Sequence, residues 1–164
     1  MTLDPSYTTD EGGAAGPVVA GWREWVGLPD AGVEWIKAKL DTGARTSAIH
    51  AFDLEHDGDR TVRFFVHPWQ GSDLDPVEVE REILDLREVR SSNGQVEERF
   101  VVPMQIRLVG RVITAEMTLS RRDEMGFRML IGREALAQGY LVDSGQSYAG
   151  GRPRVAVRRR NRGR

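Results

Sequence analysis

Segment 36–50 constrains the chain most: an alternating run with apolar Ile36, Ala38 and Leu40 ends directly on Asp41-Thr42-Gly43-Ala44, and a second apolar run follows. Alternation with a period of two reads as a strand with one buried face. An acid, a hydroxyl and a glycine at its end make a sharp turn. The glycine accepts backbone geometry and close approach that a Cβ forbids, and the Thr42 hydroxyl can bond to nearby backbone. Such a turn presents Asp41 in one fixed pose. Asp and Gly are also ordinary turn residues, so the tripeptide alone reads equally as a strand-ending turn.

A second element lies about ninety residues downstream, where Met129-Leu130-Ile131-Gly132 reads as a short buried strand and Arg133-Glu134-Ala135-Leu136 as one helical turn. Together the two elements resemble the retropepsin-like aspartic peptidases. Three runs resemble more closely the bacterial branch often labelled "ATP-dependent zinc protease": Gly21-Trp22-Arg23-Glu24-Trp25-Val26-Gly27-Leu28-Pro29, the stretch from Lys37 to Ala48, and Leu130 to Leu136. The resemblance covers roughly residues 18–148.

This resemblance implies an all-β, acid-protease barrel with one short helix, acting on a peptide or protein substrate. Asp41, Thr42 and Gly43 would be catalytic, with Thr42 bracing two Asp41 loops across a dimer axis and Gly43 offering backbone near the substrate. Ala44 and Arg45 would contact substrate. Ser92, Asn93 and Gly94 fall in chain order where such enzymes keep their flap, although the same residues suit an ordinary surface hairpin. Ile131, Gly132, Arg133 and Glu134 would support the site. Family association also places the protein near ligases that add amino acids to proteins or small molecules.

Hydrolysis without a covalent intermediate needs one group to take a proton from water and another to polarise the carbonyl. Two carboxylates sharing one proton do both, because neighbouring like charges cannot both ionise. The chain has one Asp-Thr-Gly, and Asp143-Ser144-Gly145 lies too near the end for a second half-domain. A dyad therefore predicts a homodimer with Asp41 on its two-fold axis. A peptide-binding module of the same fold without cleavage is the alternative, and a zinc hydrolase a third reading. Arg45 stands where retroviral enzymes carry an acid, while Arg133 is kept. The two arginines need an acid nearby, for which Glu134 is the candidate, or the spare cation meets a substrate carboxylate.

Composition narrows the chemistry. The chain has no cysteine, which excludes disulfides, zinc-thiolate sites and cysteine nucleophiles. His50, His56 and His67 are its three histidines, and they form no His-Glu-x-x-His pair. There is no Gly-x-x-x-x-Gly-Lys-Ser/Thr loop for a nucleotide, and Ser47 and Ser91 lack a Gly-x-Ser-x-Gly elbow. No metal or other cofactor is expected. No apolar stretch reaches membrane-spanning length, and the start has neither a basic n-region nor an apolar h-region, so a cytoplasmic protein is expected.

At 164 residues the chain is one domain's worth. Residues 1–17 read as a Gly-containing flexible leader, 18–148 as the domain and 149–164 as a disordered basic tail. Residues 152–164 hold seven arginines and no acid, so the remaining chain, with all 25 acids, is strongly acidic. With no aromatic residue among those arginines, nucleic-acid binding is not expected. Strands are expected at 18–26, 33–40, 46–54, 61–67, 77–86, 87–90, 95–100, 104–109, 112–119 and 140–143, with Trp22 and Trp25 on opposite faces. Asn93-Gly94 and Gly110-Arg111 mark hairpins, and helical turns are read at 133–137 and 121–125.

Overall fold

A computed structural model describes residues 16–90, 93–121 and 126–160. Ten strands form in order: β1 (Val18–Leu28), β2 (Val33–Asp41), β3 (Ser47–Asp57), β4 (Thr61–Val66), β5 (Val77–Glu82), β6 (Asp85–Arg90), β7 (Val96–Leu108), β8 (Arg111–Ser120), β9 (Met129–Gly132) and β10 (Tyr140–Ser147). A one-turn helix α1 (Arg133–Leu136) follows β9, and α2 (Val155–Arg160) follows β10. The expected strand at 77–86 divides into β5 and β6. Those expected at 95–100 and 104–109 join into the single strand β7. The helical turn read at 121–125 falls mainly outside the described residues.

Neighbours run β1-β2-β9-β3-β8-β7, and Gly27 of β1 pairs with Arg107 of β7, closing a six-stranded barrel. This is the expected mainly-β, retropepsin-like architecture. Alternation builds the core: Ile36, Ala38 and Leu40 point inward from β2, Met104, Ile106 and Leu108 from β7, and Ile113, Ala115, Met117 and Leu119 from β8. Both long strands serve two neighbours in succession. β3 pairs with β8 and β9 over Ser47–His50, then leaves with β4, while β7 pairs first with β6 and then with β8. Pro103 lies on β7 between its pairings with β6 and with β1, where no ladder partner needs its missing N–H. Two residues on, the Gln105 N–H finds the Asp30 carboxylate at 3.4 Å.

Buried charge lies in the middle of both β1 and β2. Glu24 is fully buried, and its carboxylate accepts the N–H groups of Gly21 (2.8 Å), Ala149 (2.9 Å) and Gly150 (2.8 Å). These bonds hold 149–150 across the turn at Val109, so the chain stays attached beyond residue 148, and α2 occupies part of the stretch read as disordered tail. Lys37 is buried with its Nζ 5.7 Å from the Trp25 and Tyr148 rings and 6.0 Å from Phe127. Trp22 meets that Phe127 edge-on at 6.0 Å, so Phe127 and Lys37 link Trp22 to Trp25. The pairing of β1 with β10 shifts register opposite Gly21–Arg23, where the extra residues lie on β10 between Asp143 and Ser147.

Arg128, also buried, ties down the loop between β4 and β5: its N–H reaches Gln70 Oε1 (2.9 Å), Nη1 the Ser72 carbonyl (3.3 Å) and Nη2 Asp73 Oδ1 (2.7 Å). The hydrogen bond from Arg128, followed by the charge of nearby His67, holds the Asp73 carboxyl below its ordinary range. With its folded pKa depressed, Asp73 contributes to loop stability above the unfolded value, and this is lost as pH falls through the folded one. Acidification through that window is expected to change the fluorescence of Trp69, whose indole binds Asp75 in the same loop, and Asp73→Asn to remove the transition.

Because three backbone donors depend on one buried carboxylate, Glu24→Gln is expected to lower the unfolding free energy by about 2–4 kcal/mol, read by urea titration. It should also open 149–153 to proteolysis. Unchanged stability together with unchanged cleavage there would refute the anchoring role.

Candidate active site

Asp41 is the last residue of β2 and pairs with Gly132, the last residue of β9. β9 lies between β2 and β3, parallel to one and antiparallel to the other, so loop 42–46 must pass over the end of β9 to start β3. Gly132 makes the crossing possible. A Cβ there would run into the Thr46 carbonyl oxygen and stand 2.6 Å from its carbon and 2.9 Å from the Ala44 oxygen. The crossing is then held by backbone: Arg133 N–H to the Ala44 carbonyl (2.8 Å) and Glu134 N–H to the Arg45 carbonyl (3.1 Å). The Gly132 N–H donates to Ser47 Oγ at 3.0 Å.

Inside the turn, Asp41 Oδ1 accepts the N–H groups of Gly43 (3.0 Å) and Ala44 (3.2 Å). These bonds fix the carboxylate's rotation at the strand end. Asp41 is half-buried, while Thr42, Gly43 and Arg45 are exposed. Arg45 Nε binds Glu134 Oε1 at 2.8 Å, the acid named for it from sequence. Arg133 Nη1 reaches the Gly43 carbonyl at 3.4 Å. The Arg45–Glu134 pair is solvent-exposed and so adds little stability, but it fixes where both side chains lie.

The hairpin of β6 and β7 faces this loop. Ala44, Arg45 and Thr46 form one wall of a cleft of about 370 Å³, and Arg87, Val89 and Arg99 of the hairpin form the other. Its tip pairs last at Arg90 and Val96 and turns through Gly94 at φ 83°, with the Gln95 N–H on Asn93 Oδ1. Asn93 and Gly94 thus lie in the exposed turn and do not line the cleft; Ser92 falls outside the described residues. Ile131 is buried in the core and Gly132 and Arg133 sit beneath the loop, a supporting position.

His50 is buried beside the stacked rings of Phe52 and His67 (4.1 Å apart), its own ring 6.1 Å from Phe52 and 5.6 Å from His67. Among the described residues no three His, Cys, Asp or Glu side chains are placed to hold a metal. No helix among them is long and apolar enough to cross a membrane. Asp143 Oδ1 accepts the Gly145 N–H at 2.9 Å, repeating in β10 the bond from Gly43 to Asp41. Ser47, read from sequence only as an unlikely nucleophile, serves instead as an acceptor under the loop. Its position at the start of β3, six residues after Asp41, carried no separate signal.

A family profile described as RimB-like, retropepsin-like aspartic endopeptidase RimB, matches residues 19–153. The chain belongs to this family. Two probable alpha-L-glutamate ligases are similar to the RimB-like chain: one from Shewanella halifaxensis is 42% identical over 133 residues, covering 79% of this chain and 29% of the relative. The other, from Desulfotalea psychrophila, is 41% identical, covering 76% and 28%. The RimB-like chain thus spans less than a third of the length of these relatives. A crystal structure of a Legionella pneumophila protein of unknown function is also similar, with a TM-score of 0.67 and 26% identity, covering 81% of this chain and 98% of that one.

Gly132 and Gly43 separate packing from chemistry in this RimB-like site. Gly132→Ala is expected to cost about 2–3 kcal/mol and to shift the Asp41 loop, because the methyl meets backbone that cannot rotate away. At Gly43 the nearest atom to an added Cβ is Asp41 Oδ1 at 3.2 Å, so Gly43→Ala should leave stability within about 1 kcal/mol of the parent. Thermal unfolding of the two variants checks the ranking, and equal losses would contradict it.

Proposed function

We propose that the protein is an aspartic endopeptidase whose dyad forms from Asp41 of two identical chains. The observation that carries this reading is the carboxylate of Asp41, held by two backbone N–H groups at the end of a barrel strand and on a loop braced from beneath by β9 and α1. The exposed Thr42 and Gly43 are free of the barrel wall and suit contact with a second loop and with substrate.

In the mechanism one Asp41 carboxylate is ionised and its symmetry mate carries the shared proton. The ionised carboxylate takes a proton from water as the oxygen attacks the peptide carbonyl. The protonated partner hydrogen-bonds to the carbonyl oxygen and stabilises the charge that develops there. The tetrahedral species collapses as the leaving nitrogen accepts a proton, breaking the C–N bond and returning the dyad to one proton. No metal or nucleotide takes part, so activity should persist in EDTA without ATP.

The names of the longer relatives support a substrate containing glutamate. A hydrolase domain joined to a ligase that adds glutamate suits trimming of the ligase's products, and the arginines of the cleft match the charge of such a chain.

The deciding experiment incubates the protein with a peptide ending in several glutamates and follows products by mass spectrometry. Asp41→Asn should reduce kcat by about a thousandfold or more while leaving the melting temperature close to the parent. Active protein should scatter light as about twice 18.4 kDa, and activity per chain should fall on dilution. A fully active monomer would rule out the shared dyad, and unaltered function in Asp41→Asn would favour a peptide-binding module.

A further inference from the structure

The arms of the β6–β7 hairpin place like charges directly opposite one another, twice. Arg87 pairs across the ladder with Arg99, and the next pair is Glu88 with Glu98. Alternation along strands puts successive pairs on opposite faces, so one face carries the two arginines, together with Asp85 and Glu97, and the other carries Glu88 and Glu98. Directly opposed like charges destabilise a ladder, and an ordinary solvent hairpin gains nothing from either pair. The arginine face is the one that lines the cleft beside Ala44, Arg45 and Thr46.

Acids of the hairpin and of β8 hold these guanidinium groups in place. Arg87 is gripped by Asp85 Oδ2 through Nε and by Glu116 Oε2 through Nη2, each at 3.0 Å, and Arg99 Nη2 by Glu97 Oε2 at 3.2 Å. The hydrogen bonds that Arg87 donates to Asp85 and Glu116 hold its pKa above the ordinary value. Arg99 keeps a buried Nε with no acceptor among the described residues. Each arginine retains further N–H donors beside the cleft, in the planar fork that matches a carboxylate.

We propose that Arg87 and Arg99 are the specificity-determining pair of the cleft, selecting substrates that place a carboxylate side chain between the hairpin and loop 44–46. This rests on the reading of the cleft as the substrate site, but not on Asp41 performing hydrolysis. An entering carboxylate is met by the guanidinium N–H donors that Asp85, Glu116 and Glu97 leave unused. The Glu88–Glu98 face repels the same group, so an acidic chain is favoured on the cleft side of the hairpin and disfavoured on its outer side. A neutral isostere forgoes those charge-assisted bonds.

The test uses the full chain carrying Asp41→Asn, so that bound peptide is not consumed, and follows fluorescence anisotropy of labelled tetraglutamate and tetraglutamine at fixed salt. Tetraglutamate is expected to bind at least about tenfold tighter, from one or two charge-assisted hydrogen bonds. Arg99→Gln and Arg87→Gln should each reduce this ratio, and the double variant should bring it close to one while tetraglutamine binding stays unchanged. Arg99→Lys, which keeps the charge and the hairpin's pairing with Glu97, should retain part of the preference and guards against loss by misfolding.

Arg63→Gln alters a cation on β4 that is paired with Glu55 and Glu78 and absent from the cleft lining, and it should leave the ratio intact. A ratio preserved in the double variant, or lost equally in Arg63→Gln, overturns the proposal. In the parent chain, cleavage of both peptides at equal kcat/KM would overturn it while sparing the peptidase reading. Binding preference without any cleavage would spare it and overturn the peptidase reading instead.

Discussion

Everything at the candidate site rests on a short strand threaded between two others. β9 fills the gap between β2 and β3, and the loop joining those strands has to cross its end. The crossing distance is so small that residue 132 can have no side chain, and once crossed it is sealed by N–H groups of residues 132, 133 and 134. Backbone hydrogen bonds and excluded volume leave little freedom, whereas a long side chain could adopt several rotamers. Asp41 therefore inherits its pose from the covalent path of the chain. Exposed ion pairs such as Arg45–Glu134 refine the surface of the loop but do not hold it.

Charge buried elsewhere serves closure of the barrel and its connections. Glu24, Lys37 and Arg128 are each withdrawn from water; Glu24 is satisfied by backbone N–H groups, and the Arg128 guanidinium by the Ser72 carbonyl and the Asp73 carboxylate of an irregular loop. Irregular chain cannot satisfy its own donors and acceptors as a ladder does, and a buried ion with several hydrogen-bonding sites meets that need. Glu24 holds the segment after β10, and Arg128 holds the loop before β5. Lys37 is instead enclosed by Trp25, Phe127 and Tyr148, whose ring faces accept its charge.

The same alternation that buries the core also sorts charge on the projecting hairpin. A one-residue step along β6 or β7 moves from the cleft to the outer face, so Arg87 and Arg99 come to the cleft side with their partners Asp85 and Glu97, and Glu88 and Glu98 to the outer one. The hairpin thus differs from a polar surface ribbon although its composition does not. Its register decides which charge the cleft sees.

Much of this was legible in the sequence. Alternation at 36–40 and 112–119 fixes strands and their inner faces, Asn93-Gly94 and Gly110 mark turns, and the Asp-Thr-Gly and Leu-Ile-Gly-Arg segments carry the family and the pairing of Arg45 with Glu134. These are local patterns, written in residues near one another or in motifs of fixed type. What only the tertiary structure decided is who meets whom across long separations: Glu24 with residues 149–150, Arg128 with 70–73, Ser47 with Gly132, and Arg87 and Arg99 with the Asp41 loop. A buried acid and a surface acid have the same letter, and a strand's hydropathy does not state its neighbour or its register. Those are set when the barrel closes, because closure alone fixes which strand ends lie side by side and which charged side chains lose their water.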